Sequence, residues 1–202
     1  MSVAKILVFL QQSFYTYILM ENPNHEIAKH VRHEFFVYRN GLLADTLRSA
    51  GDTHRMIFGL NMPQITDIAR SISPNEEVAK ELWESRETRE CRLIAPILYP
   101  IDKFNEETAL EWISDIESTE VADNLCHKLL RKTPFAHHLC TTLMTGSEIQ
   151  RYTALRLAIN LLTLGKEIDR ERMLRFAQTE IEKNHPLTSA TAKRLLQDLS
   201  EI

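Results

Sequence analysis

Glycine is scarce in this 202-residue chain, and the shortage excludes whole classes of chemistry. Five glycines and seven prolines leave little room for a glycine-rich phosphate loop, and no Gly-x-Ser-x-Gly elbow occurs, so nucleotide hydrolysis and triad hydrolysis are disfavoured. There is no C-x-x-C and no H-E-x-x-H. His137 and His138 are adjacent, so on a helix they point about 100° apart and do not readily share one ion. Neither a metal nor a cofactor is expected. Cysteine is also sparse: Cys91, Cys126 and Cys140 are odd in number, and the first two fall on apolar stripes. They read as buried free thiols in a reducing compartment.

Long apolar runs are missing as well. The opening VAKILVFLQQSFYTYILM is apolar, but its unbroken run spans only Ile6 to Leu10, and Lys5, Gln11, Gln12 and Ser13 interrupt it. No small-residue cleavage site follows. A buried N-terminal helix is expected, with no membrane span, in a cytoplasmic protein. Period-two alternation is absent throughout, so strands are not expected.

What is present is a helical stripe. In ELWESRETRECRLIAPIL, residues 81 to 98, the end of one helix turns a tight corner into a second. Cys91, Ile94, Ala95 and Leu98 then fall at i, i+3, i+4 and i+7. Ala109, Trp112, Ile113 and Ile116 repeat the stripe, as do Ala122, Leu125, Cys126 and Leu129, and again Ala154, Leu157, Ala158 and Leu161. Helix pairs recurring about every thirty residues lie in the range of stacked helical solenoids. The chain is therefore expected to be all-α, an α-α superhelix forming a single domain over residues 1–202 and acting as a monomer.

Start signals divide the stack. Helices are predicted over 2–20 and 25–38, and a connection of uncertain shape follows through Asn40-Gly41 and Ala50-Gly51-Asp52. Asn61 with Pro63 starts a helix, and Ser73-Pro74-Asn75-Glu76 supplies a capping serine with proline in the first turn. Asn105, Ser118 and Thr133-Pro134 open further helices, and Ser147-x-x-Gln150 is a capping box. Helices over 166–182 and 187–199 close the array. Trp83 and Trp112 fall within the repeat pattern and are predicted core.

Charge is split along the chain. Residues 1–126 hold 12 Lys and Arg against 20 Asp and Glu, a net −8, whereas residues 127–202 hold 12 against 8, a net +4. Such a division lets an overall acidic protein present one positive surface; ordinary solvated helix faces are the plainer reading.

Two residues stand out by position. Asp123 lies in the first turns of the helix opened by Ser118, with Glu120 close by, where the helix dipole favours carboxylates without any function. Arg151 follows the Ser147 cap, where a cation opposes the dipole, so an anionic partner is expected: Glu148, Asp123 or a phosphate. Aligning the inner helices by their stripes places Glu90, Asp123 and Arg151 at corresponding points of successive repeats. That is how the polar ridge of a concave binding face would look.

Three segments resemble the DNA alkylation repair proteins of the AlkD type, built of HEAT-like helical repeats. FGLNMPQITDIAR, 58 to 70, is similar to the family's aromatic-Gly-x-x-x-Pro element. ELWESRETRECRLIAPILY, 81 to 99, resembles its Leu-Trp signature ending in Glu-x-Arg-x-x-Ala, and EWISDIESTEVADNLCHKLL, 111 to 130, resembles the element with its catalytic aspartate. The resemblance implies a basic concave face that holds duplex DNA by its backbone and excises N3- or N7-alkylated purines by hydrolysing the N-glycosidic bond. It puts Asp123 in the catalytic place and Arg151 on phosphate, with Lys128, Arg131 and Lys132 as further backbone contacts. A cationic base already leaves easily, so the carboxylate has only to stabilise positive charge growing on the sugar and position water. Thr119 stands where the family commonly has a tryptophan, and no tryptophan follows Trp112. Stacking on a base contributes about 1–3 kcal/mol per contact. The alternative implied is a catalytically inactive scaffold that binds DNA structures or a protein partner.

Overall fold

A computed structural model describes residues 22–201. The helix expected over 2–20 lies outside the described residues. Among the described residues there are eleven α-helices and no strand. They are α1 Pro23–Val37, α2 Gly41–Ser49, α3 Met62–Arg70, α4 Glu76–Glu84, α5 Arg89–Leu98, α6 Glu106–Ser114, α7 Thr119–Lys128, α8 Ala136–Leu143, α9 Glu148–Thr163, α10 Arg170–Glu182 and α11 Ser189–Ser200.

Short polar side chains start most of them. Asn40, Asn61, Asn75, Asn105, Ser118 and Asp169 each accept a backbone N–H from the first turn of the following helix, which satisfies one of the donors a helix start leaves free. The start expected at Ser73 moves to Asn75, whose Oδ1 takes the Val78 N–H at 3.1 Å. The start expected at Thr133 moves to Ala136, because Thr133 Oγ1 donates back to the Leu130 carbonyl at 2.9 Å and belongs to the preceding 3-10 turn Leu130–Lys132. The 166–182 helix begins at Arg170, capped by Asp169. The segment after Asn40, read as a connection, is helix α2. Its stripe is thin, with only Ala44 buried.

The helices pair and stack. α4 packs on α5, α8 on α9 and α10 on α11, while the second helices form an inner row in which α3 meets α5, α5 meets α7, α7 meets α9 and α9 meets α11. Between α5 and α7 hydrogen bonds join residues 31 apart, Arg89 to Glu120 and Leu93 to Asn124, whereas those between α7 and α9 join residues 27, 29 and 33 apart. All ten residues of α5 except Ile97 are buried, since it is covered on every side.

Between the outer helices, the Trp83 and Trp112 rings stack with centroids 4.1 Å apart and planes 3° from parallel. Arg92 lies over Trp83, its guanidinium carbon 3.6 Å from the ring centre. It also donates to the Trp83 carbonyl at 2.8 Å and to that of Asp115 at 2.6 Å. One guanidinium thus satisfies carbonyls at the ends of α4 and α6. Burial pushes its pKa down to about 10, which leaves it charged at neutral pH. Cys91, Cys126 and Cys140 are all buried free thiols.

Candidate nucleic-acid interface

Two carboxylates on neighbouring inner helices face different surroundings. Glu90, on α5, is fully buried. Its carboxylate accepts the backbone N–H groups of Phe58, Gly59 and Leu60 at 3.1, 3.0 and 3.3 Å and an Arg89 bond at 2.9 Å. Gly59 must be glycine there: its φ is +78°, and a Cβ would lie 2.1 Å from the Asn40 carbonyl oxygen. Arg89 then spans onward to Glu120 on α7 and to the Leu60 carbonyl. The network ties the α2–α3 connection, α5 and α7 together and leaves Glu90 no room for a ligand.

Asp123 is open by contrast. It stands on α7 above an open cleft of about 370 Å³ lined by Met62, Glu120, Asn124, His127, Lys128, Arg156 and Asn160. Tyr152 donates its hydroxyl to Asp123 Oδ1 at 2.8 Å. Arg156 Nε lies 2.6 Å from the same oxygen as an ion pair, off the line of a hydrogen bond. The Asp123 side chain is 36% exposed. Burial raises its pKa above the ordinary value, opposed by Tyr152 and Arg156 and assisted by nearby Glu120. The same surroundings raise the pKa of Tyr152, burial first and the Asp123 charge second.

A cation cluster adjoins this cleft at the end of α7. Lys128 lines it, and Arg131 and Lys132 follow in the 3-10 turn. Among the described residues none of the three has a carboxylate within ion-pairing distance. Burial lowers the pKa of Lys132, and Arg131 and Lys128 lower it further. A helix C-terminus favours cations, which accounts for part of the cluster.

The expected neighbour of Asp123 is elsewhere. Arg151 lines a separate groove with Thr119, Glu148 and Leu187. Its Nε lies 3.2 Å from Glu180 Oε1 on α10, and it donates to the Gly146 carbonyl at 2.9 Å. The anionic partner demanded by its place near a helix start is Glu180, which was not among the partners the sequence offered, and Asp123 pairs instead with Arg156. The inner-row register explains the difference: α9 meets Asp123 between Tyr152 and Arg156, one turn beyond Arg151. Sequence reasoning missed Arg156 for that reason, since the register of α9 against α7 is set by packing and no local spacing marks it.

Against known proteins, the family model described as DNA alkylation repair enzyme matches residues 31–201. This chain belongs to that family. The chain is also similar to a solved structure described as "A new family of proteins related to the HEAT-like repeat DNA glycosylases with affinity for branched DNA structures". The TM-score is 0.74 at 17% identity, covering 85% of this chain and 75% of that one. At that identity the likeness shows the fold, a HEAT-like helical superhelix. No curated protein matches the chain. Both tryptophans are spent on the core stack, at 2% and 5% exposure, and among the described residues no Phe, Tyr or Trp lines the Asp123 cleft, where Met62 is the one apolar lining residue and His127 the one ring. No helix among the described residues is long and apolar enough to cross a membrane.

Proposed function

We propose that this protein binds DNA by its sugar–phosphate backbone along the face of α7 and α9. Lys128, Arg131 and Lys132 meet phosphates, and Arg156 stands within reach of the same strand. The observation that carries this reading is that, among the described residues, three adjacent cations beside an open cleft have no carboxylate partner, when Arg86, Arg89, Arg151 and Arg156 all have one. Unneutralised cations release counterions from duplex DNA, and the affinity then falls with salt, about 0.9 log units per log unit of salt for each phosphate neutralised. Binding of an unmodified duplex at several salt concentrations tests it. Replacing Lys128, Arg131 and Lys132 with glutamine is expected to flatten the salt slope by about 2 to 3. An unchanged slope would remove the cluster from the interface.

The neighbouring fold's described affinity for branched DNA makes a four-way junction the second ligand to measure. Failure to bind either DNA would favour the alternative of a scaffold for a protein partner.

A second reading adds excision of alkylated purines, and Asp123 in its cleft is what favours it. As the C1′–N bond to a cationic purine breaks, positive charge builds on the sugar, and a carboxylate beside it stabilises that state. Water completes the hydrolysis at C1′, and the base leaves neutral. Arg156 and Tyr152 both draw on the Asp123 charge, and among the described residues no Phe, Tyr or Trp lines the cleft as a stacking platform. The reading therefore requires that bound DNA engage Arg156. Release of 7-methylguanine or 3-methyladenine from alkylated DNA is expected from the wild type and lost in Asp123→Asn. No release by wild type where a positive control works leaves only the binding reading.

A further inference from the structure

His127 occupies the junction between the Asp123 cleft and the cation cluster, and its hydrogen bonds define its charge. Asn160 donates its side-chain amide to the Arg156 carbonyl at 2.8 Å, so its Oδ1 is the atom turned to His127, 3.3 Å from Nδ1. Nδ1 must therefore carry a proton and donate. On the other side of the ring, Nε2 lies 3.3 Å from Arg131 Nη2. A guanidinium only donates, so Nε2 must accept and be bare. The two contacts together fit only the neutral imidazole.

The groups around it favour that state. Lys128 on α7 and Arg131 and Lys132 in the next turn repel a charged ring, while Asn160 assists it. From α9, Arg156 also lines the cleft, and α3 contributes Met62. Lys166, in the loop after α9, is fixed to the Arg131 carbonyl at 2.7 Å. Asp123 and Glu120 line the same cleft but form no bond to the ring. Burial is the largest influence lowering the His127 pKa, followed by Arg131.

We propose that His127 is a phosphate contact of the DNA site and takes up a proton when DNA binds. This rests on the backbone-binding reading above. Protonation turns Nε2 from acceptor to donor. The Arg131 bond to it is then lost, and both groups point N–H donors at the same space, where one phosphate oxygen accepts from both. The phosphate charge also offsets the cations that keep the free ring neutral. DNA affinity therefore strengthens as pH falls, and the proton comes from solvent.

The experiment follows the His127 ring by NMR, assigned against His127→Gln, with and without an unmodified duplex. Duplex affinity of both proteins is measured from pH 6 to 8 at fixed salt. Free His127 is expected to titrate below the usual value of about 6.5 and to titrate higher in the complex. One proton taken up weakens binding by up to about tenfold per pH unit on the alkaline side. Wild type is expected to lose at least about threefold more affinity than His127→Gln between pH 6 and 8. An unmoved His127 titration in the complex, or identical pH profiles for the two proteins, overturns the proposal while leaving backbone binding intact. Absence of duplex binding at every pH overturns both.

Discussion

Glu90 and Asp123 are both carboxylates on adjoining inner helices, yet one is sealed and the other is presented. Three backbone N–H groups and Arg89 close around Glu90, so its charge holds the stack together. Asp123 has one hydroxyl donor and one half-exposed guanidinium and faces a cleft. The difference lies in what each helix is covered by. α5 is enclosed by α3, α4 and α7, whereas the cleft exposes one edge of α7 and of α9. In this helical stack, then, the enclosed carboxylate builds the scaffold and the edge carboxylate is left partly open to the cleft.

The comparison breaks most readily at Glu90. Glu90→Ala leaves Arg89 buried with part of its charge uncompensated and three N–H groups unpaired. It is expected to lower unfolding free energy by about 3–5 kcal/mol in urea titration. A loss under about 1 kcal/mol would mean the network is not holding α5 to the α2–α3 connection. Arg151 supplies the next largest effect. Burial tends to raise the pKa of fully buried Glu180, but bonds from Lys183, Thr188 and Arg151 outweigh it and hold the value below the ordinary one. A depressed folded-state value stabilises the protein above the unfolded value and is lost as pH falls through the folded one. Two partners remain in Arg151→Ala, so the expected loss is about 1–3 kcal/mol at neutral pH, shrinking in acid, with duplex affinity unchanged. A variant that keeps its stability but binds DNA weakly would return Arg151 to the interface.

How much of this was legible in the sequence follows from how local each signal is. Asn61, Asn105 and Ser118 cap helices whose stripes are dense, and those helices begin where the spacing puts them. α2 escaped because Ala44 is its only buried residue, and one buried side chain cannot show a period. The dipole argument at Arg151 required an anion, and there is one. Glu180 sits in the next hairpin, and nothing in the sequence could rank it above Glu148. The segments that carried the resemblance prove to be scaffold in large part. Gly59 and Glu90, from two of them, meet in one hydrogen-bonded knot, and Trp83 and Trp112 stack in the core. Arg156 was invisible because it depends on the register of α9 against α7, which is a property of packing.

The smallest effect sharpens the comparison most. Burial is the main influence on Asp123 and raises its pKa, so folding favours its protonated form. A raised folded-state value gives stability that is present in full below the unfolded value of 3.8 and is lost as pH rises through the folded one. At neutral pH the ionised Asp123 therefore contributes no net stability through this linkage. Asp123→Asn keeps an oxygen for the Tyr152 hydroxyl and beside the buried Arg156 Nε, and the rest of that guanidinium is part-exposed to solvent. Its Tm at pH 7 is expected to equal or slightly exceed that of the wild type, and the gap should close as pH falls toward 4. Of the charged groups on the inner row, Asp123 would then be one whose removal costs the fold nothing, as expected of a side chain kept at an open edge for a ligand. A clear fall in Tm would instead make the Asp123–Arg156 pair a second structural clamp, and the contrast with Glu90 would disappear.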